Sequence, residues 1–269
     1  MSEHHGLAVR DVRKVFFPRT VNEVTALDGL DLEVTPGEFV TVIGSNGSGK
    51  STLLNTIAGT VPVTSGEVWL EGRDVTRMAE HIRAKFIGRV FQDPRAGTAP
   101  SMTISENMAL AYLRGKRRGL GWGVPSRLKG RMRQSLAELE MGLEDRLSTQ
   151  VMKLSGGQRQ AISLLMATVA EPRLLLLDEH TAALDPKVAA KIMEITGKIV
   201  EERDLTTLMV THNMEMALRW GDRLIMMHLG KIILDVKGAA KKKLTVNGLV
   251  RKFHEVSGDT LAIDTMLLE

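Results

Sequence analysis

The chain has 269 residues and not one cysteine. That absence excludes a disulfide framework, thiolate catalysis, and any zinc or iron–sulfur site built on sulfur. Aromatic residues make up only 4%, with a single tyrosine and three tryptophans. Long apolar runs are also missing. The most apolar stretches, Ala161 to Ala170 and Leu174 to Leu177, fall short of the 18 or more residues needed to cross a bilayer. Met1 to Arg10 carries two histidines and a glutamate where a signal peptide would have an apolar core. The expectation is a protein made and kept in the cytosol.

What is present is ordinary for a globular α/β chain: 43% hydrophobic and 25% charged residues, with a net charge of +4. The charge is uneven. Between Gly115 and Arg133 stand Lys116, Arg117, Arg118, Arg127, Lys129, Arg131 and Arg133 with no acidic residue among them, and without those seven the remaining chain stands at −3. The segment reads either as a solvated loop or as a contact for anionic lipid headgroups, with Trp122 as an interfacial anchor or a small satellite core. Lys241 to Lys243 reads as a solvated helix end.

Patterning gives the order of elements. Leu7 to Phe17 and Val24 to Val34 alternate loosely as strands, and Glu38 to Ile43 is a β-rich run entered through Thr35-Pro36-Gly37. Ser105 to Leu113, Lys129 to Met141 and Gly156 to Ala170 have helical spacing. Arg173 to Leu177 (strand), Pro186 to Glu202 (helix) and Thr206 to Thr211 (strand) then resume the alternation. A hairpin about Gly230 follows, and a helix is expected over Thr245 to Val256.

Gly44-Ser45-Asn46-Gly47-Ser48-Gly49-Lys50-Ser51-Thr52 lies between a strand and a helix and fits the P-loop pattern, which arises by chance in roughly one chain in a hundred of this length. Its glycines let backbone N–H groups cradle phosphate, Lys50 reaches the β and γ phosphates, and the Ser51 hydroxyl ligates Mg²⁺. Leu174 to Leu177 runs into Asp178-Glu179, placing one carboxylate to hold Mg²⁺ through water and the next to polarise a water aimed at the γ-phosphate. Leu154-Ser155-Gly156-Gly157-Gln158-Arg159-Gln160 opens a helix with a hydroxyl and two glycines; it reads as a second anion-binding N-terminus or as simple capping by Ser155.

With that last string the sequence resembles the ATP-binding subunits of ABC transporters, from about Leu7 to Val236. The resemblance identifies Gln92 as the family's Q-loop residue, Ala183-Leu184-Asp185 as its D-loop and His212 as its switch histidine. It assigns the adenine-stacking aromatic to Phe16, with Phe17 as a rival and a core role open to both. His180 stands where the family more often has proline, and is read as a subgroup trait. The implied fold is an α/β P-loop NTPase of the ABC ATPase type: a RecA-like core, an N-terminal antiparallel β subdomain and an inserted α-helical subdomain. The implied boundaries are one cassette over 5–238, with the helical part at 93–170 and a C-terminal extension at 239–269.

The family mechanism implies a head-to-tail homodimer with ATP between the P-loop of one copy and Ser155-Gly156-Gly157-Gln158 of the other. Ser51, Gln92 and Asp178 would position Mg²⁺, Glu179 would activate water, and His212 would align water and γ-phosphate. Partners implied are integral membrane permease subunits and a separate solute-binding protein, with no nucleic acid. The place implied is the cytoplasmic face of the cell membrane, and the wording around Phe91 to Ser101 and Asp178 to Pro186 resembles a bacterial subgroup paired with separate importer-type permeases. The rival class is a soluble ATPase of the same family acting on nucleic acid or in regulation; a single cassette without sustained heptads argues against it.

Replacing Lys50 by Ala is expected to abolish nucleotide binding. Titration calorimetry checks this, and an unchanged ATP affinity would contradict it.

Overall fold

The computed structural model describes residues 6–116, 124 and 126–257. In chain order it opens with β1 (Leu7–Phe16), β2 (Val24–Val34), β3 (Phe39–Gly44), α1 (Lys50–Ala58), β4 (Ser65–Leu70), β5 (Arg73–Asp74) and α2 (Glu80–Arg83). There follow β6 (Ile87–Val90), α3 (Ile104–Tyr112), α4 (Ser126–Ala137), α5 (Gly156–Thr168), β7 (Leu174–Asp178) and α6 (Pro186–Glu202). The last elements are β8 (Thr206–Val210), α7 (Met214–Arg219), β9 (Arg223–His228), β10 (Lys231–Lys237), α8 (Gly238–Lys242) and α9 (Val246–Ser257). The chain divides into two compact units, one from Met1–Arg83 with Asp204–Glu269 and one from Ala84–Arg203.

In the first unit an antiparallel sheet has the order β2-β1-β4-β5. Its strands are half-buried by alternation: Leu30, Leu32 and Val34 of β2 are buried while Asp31 and Glu33 between them are exposed. The same unit holds β10-β9-β3-β8. There β3 runs parallel to both neighbours, with Val40 opposite Leu208 on one side and Val42 opposite Ile225 on the other. Every residue of β3 and of β8 is buried. Covered on both faces, such strands read as unbroken apolar runs and not as alternation. Thr41 is the one polar side chain of β3, and its hydroxyl lies 3.1 Å from the Ala217 carbonyl and 3.2 Å from that of Arg223.

The last two helices complete this core. Leu249 and Phe253 of α9 are fully buried against Ile43, Met214, Ala217, Leu224 and Met226, and the Phe253 ring meets His228 edge-on at 5.2 Å. Lys241 corrects the reading of a solvated helix end: it is 4% exposed. Its ammonium donates to the Trp220 carbonyl and, at 2.7 Å, to that of Gly221. Those carbonyls end α7 and the turn after it, where a cation at a helix C-terminus is favoured.

In the second unit β6 and β7 pair in parallel, Ile87 opposite Leu174 and Val90 opposite Leu177. Gly88 is required because a Cβ there would collide with the carbonyl of Ala167 in α5. α3 begins with a complete capping box, Thr103 with Glu106. α4 packs Met132 and Leu136 inward and shows Arg127, Lys129, Arg131 and Arg133 outward. Arg131 lies over the Tyr112 ring at 5.3 Å. Arg117, Arg118 and Trp122 of the basic segment lie outside the described residues. Among the described residues no helix is long and apolar enough to cross a membrane.

Burial pushes the Lys241 ammonium from its usual 10.5 down to about 8, with Asp222 opposing. Below pH 8 the fold bears the whole cost of burying that charge, and the cost lifts as pH rises from about 8 toward 10.5. Lys241→Met should lower stability in equilibrium denaturation by about 1–3 kcal/mol, since two carbonyls lose their donor. The advantage of wild type over the variant should widen between pH 8 and 10; a constant difference would contradict the burial argument.

Candidate functional site

The P-loop forms where β3 runs out of its covered sheet. Gly44 must lack a side chain, because a Cβ there would strike the Met227 carbonyl of β9 and Ser48 Oγ. Gly47 and Gly49 take left-handed conformations, φ 77° and 100°, open to glycine without steric cost. At Gly49 a Cβ would also strike the Ala26 carbonyl of β2. The loop is clamped from outside. Gly230, in the turn between β9 and β10, donates its N–H to the Ser48 carbonyl at 3.0 Å and accepts from Asp28 N–H at 3.1 Å.

These constraints leave a cradle of backbone donors. Gly49 caps α1 without any side-chain hydrogen bond, and the first turn holds no acidic residue, so the helix N-terminus keeps its affinity for an anion. Lys50 is buried at its base, with Nζ 2.7 Å from the Gly44 carbonyl and 3.0 Å from that of Ser45. Ser48 Oγ is buried and bonds to no described residue, as suits a group meant for a phosphate oxygen. Asn46, Gly47 and Ser51 are exposed, with Thr52 half-buried behind them.

His212 belongs to the same unit. It follows β8, and the Thr211 N–H donates to the Val42 carbonyl at 3.1 Å. The parallel register therefore delivers His212 to the sheet edge from which the P-loop springs. Asn213 then caps α7 through Met216 N–H at 2.8 Å. Phe16 closes β1 half-buried, with Lys14 Nζ 4.9 Å above its ring. Phe17 beside it is 65% exposed at φ 49°.

In the second unit the β6–β7 register brings Gln92 and the Asp178-Glu179 pair to one strand edge. Gln92 is exposed and the carboxylates are half-buried. An arginine that sequence reasoning passed over stands beside them: Arg89 lies 3.5 Å from Asp178 Oδ2 and 4.5 Å from the Phe91 ring centroid. Its signal was a charge inside a short strand. Glu179 adopts φ 44°. His180 after it is buried, with Nε2 3.2 Å from Thr196 Oγ1, and burial pushes its imidazole down to about 4, so it is neutral. Asp185 caps α6 through Val188 N–H at 3.1 Å, with Pro186 at the first helical position.

Ser155 does cap α5. Its Oγ accepts from Gln158 N–H at 3.2 Å while Gln158 Oε1 accepts from Ser155 N–H at 3.3 Å. The hydroxyl acts here only as acceptor, so its proton stays available for another oxygen. Ser155 and Gly156 are exposed. Gly157 is buried, and a Cβ there would collide with Val188 of α6, so the second glycine of the motif has a packing reason of its own. Gln160, which the sequence placed in the motif without a role of its own, is 1% exposed and donates to the Phe91 carbonyl at 3.3 Å, tying this helix to the segment that carries Gln92.

Comparison with known proteins agrees with this chemistry. The family model described as ABC transporter matches residues 27–182. The "Tyrosine transport ATP-binding protein" of Clostridioides difficile is 46% identical over 249 residues, covering 92% of this chain and 98% of that protein. The "Sulfate/thiosulfate import ATP-binding protein CysA" of Xanthomonas campestris is 38% identical over 84% of this chain, which spans only 62% of that protein. Among solved structures, a dimeric post-hydrolysis state of the ATP-binding cassette MJ0796 bound to ADP and Pi superposes with a TM-score of 0.74 at 31% identity, covering 86% of this chain and 98% of that one. The chain belongs to the ABC transporter family, as one of its ATP-binding, ATP-hydrolysing subunits.

Proposed function

We propose that this chain powers uptake of a small solute by hydrolysing ATP at the cytoplasmic face of the cell membrane. It would do so as a head-to-tail homodimer joined to separate permease subunits and served by a solute-binding protein. The observation that carries the reading is the match along 98% of a tyrosine transport ATP-binding protein. It is supported by relatives named for sulfate or thiosulfate, aliphatic sulfonate and methionine import, and by the dimeric state of a similar cassette holding ADP and Pi. The positive excess sits in one segment, with the rest of the chain at −3, and that location favours the membrane side over a nucleic-acid partner.

The roles follow the residues. Gly44 to Thr52 surround the phosphates, with Lys50 as their counter-charge and Ser48 as a further donor. Ser155, Gly156, Gly157 and Gln158 present the second copy's helix N-terminus, and the free Ser155 proton suits a phosphate oxygen. Phe16 stacks on adenine, with Phe17 as its rival. Ser51, Gln92 and Asp178 supply the oxygen donors that Mg²⁺ prefers, and the ion would neutralise phosphate charge. Among the described residues no cluster of three or more carboxylate or imidazole groups gathers. Glu179 is the general base, and His212 holds the attacking water in line.

Two outcomes check this reading. Glu179→Gln should keep ATP binding while turnover falls by roughly 100-fold or more, measured by phosphate release; a near wild-type rate would remove Glu179 from the base role. Purification from solubilised membranes should recover the chain with a multi-span permease. Recovery as a free ATPase stimulated by nucleic acid would overturn the transport reading.

A further inference from the structure

Glu179 occupies a left-handed backbone position, φ 44°, which is costly for a residue with a Cβ and persists only where both flanks fix the chain. On one flank are Leu174, Leu175, Leu176 and Leu177, all fully buried and locked in register with β6. On the other stands His180, 2% exposed, with its Nε2 at 3.2 Å from Thr196 Oγ1 on α6. The Thr196 hydroxyl has one proton, and it goes to the Ile192 carbonyl at 2.8 Å. The oxygen therefore accepts from His180, whose proton must sit on Nε2. The turn closes with Ala182 N–H donating to the Glu179 carbonyl at 2.9 Å. Five residues beyond His180, Asp185 caps the same helix. The loop after Glu179 is thus tied to α6 twice, and His180 is the tie adjacent to the strained residue.

We propose that His180 is a positioning residue for Glu179: its hydrogen bond to Thr196 holds the left-handed turn that fixes where the carboxylate stands. The proposal rests on Glu179 being the general base. His180 touches no substrate in this scheme; it acts only by keeping the neighbouring residue from relaxing into an ordinary conformation. A misplacement of about 1 Å suffices to slow a positioned reaction severely.

The test uses steady-state ATP hydrolysis by the full chain with Thr196→Val, which keeps the shape and deletes the acceptor, alongside His180→Ala and His180→Gln. Thr196→Val and His180→Ala should each lower kcat roughly 10- to 100-fold, with KM for ATP unchanged. His180→Gln, which restores a donor, should recover most of the rate. In the Glu179→Gln background neither change should slow the residual rate further, because the group it positions is gone. If His180→Ala fails to fold, Thr196→Val carries the test alone. Wild-type kcat in Thr196→Val, a loss confined to KM, or an equal slowing in the Glu179→Gln background would each overturn the positioning role while leaving Glu179 as base. Wild-type turnover by Glu179→Gln itself would overturn the base reading and the proposal with it.

Discussion

The covered strand β3 is the constraint on which the nucleotide cradle depends. Paired in parallel on both sides and buried at every residue, it cannot shift without breaking two ladders. Its last residue meets the β9 backbone so closely that only glycine fits. The chain must turn there, and the turn is held by the Gly230 N–H on the Ser48 carbonyl. The conformation of the glycine loop is therefore set by the sheet itself, the condition under which backbone dipoles can stabilise charge without reorganising. β8 gains from the same arrangement, since its parallel register brings His212 to that edge.

Much of this was legible in the sequence where the cause is local. Asp185 and Pro186 mark the start of α6, and the helix runs over the expected Pro186–Glu202 because cap and first-turn chemistry are adjacent in the chain. The P-loop was equally plain, since strand, glycines and helix follow one another. Features with distant causes were not. β6 is four residues long and includes Gly88 and Arg89, so no alternation announces it; its glycine answers to the Ala167 carbonyl some eighty residues on. Lys241 looked solvated because the carbonyls that hold it lie 20 and 21 residues earlier. Gln160 and Arg89 became visible only when β6, β7 and α5 were assembled.

The motif helix α5 shows how one residue type answers two demands. Ser155 and Gly156 stay exposed where a ligand oxygen would need them, while Gly157 is small because Val188 fills the space beside it. Gln158 closes the capping box. A motif that reads as a binding signature is thus partly a packing signature. Its unexposed half ties the helix to α6, the same helix that takes the hydrogen bond of His180.

The partners of β3 also set an order of assembly. Val40 pairs with Leu208 and Val42 with Ile225, so well over 150 residues separate each pair in sequence. During synthesis neither flanking strand exists until more than 150 further residues have followed the P-loop segment. The unit from Ala84 to Arg203 is continuous in sequence, and its β6–β7 ladder joins residues fewer than ninety apart. The segment with the P-loop pattern is therefore enclosed long after it is made, and it depends on α9 for the final side chains of its core.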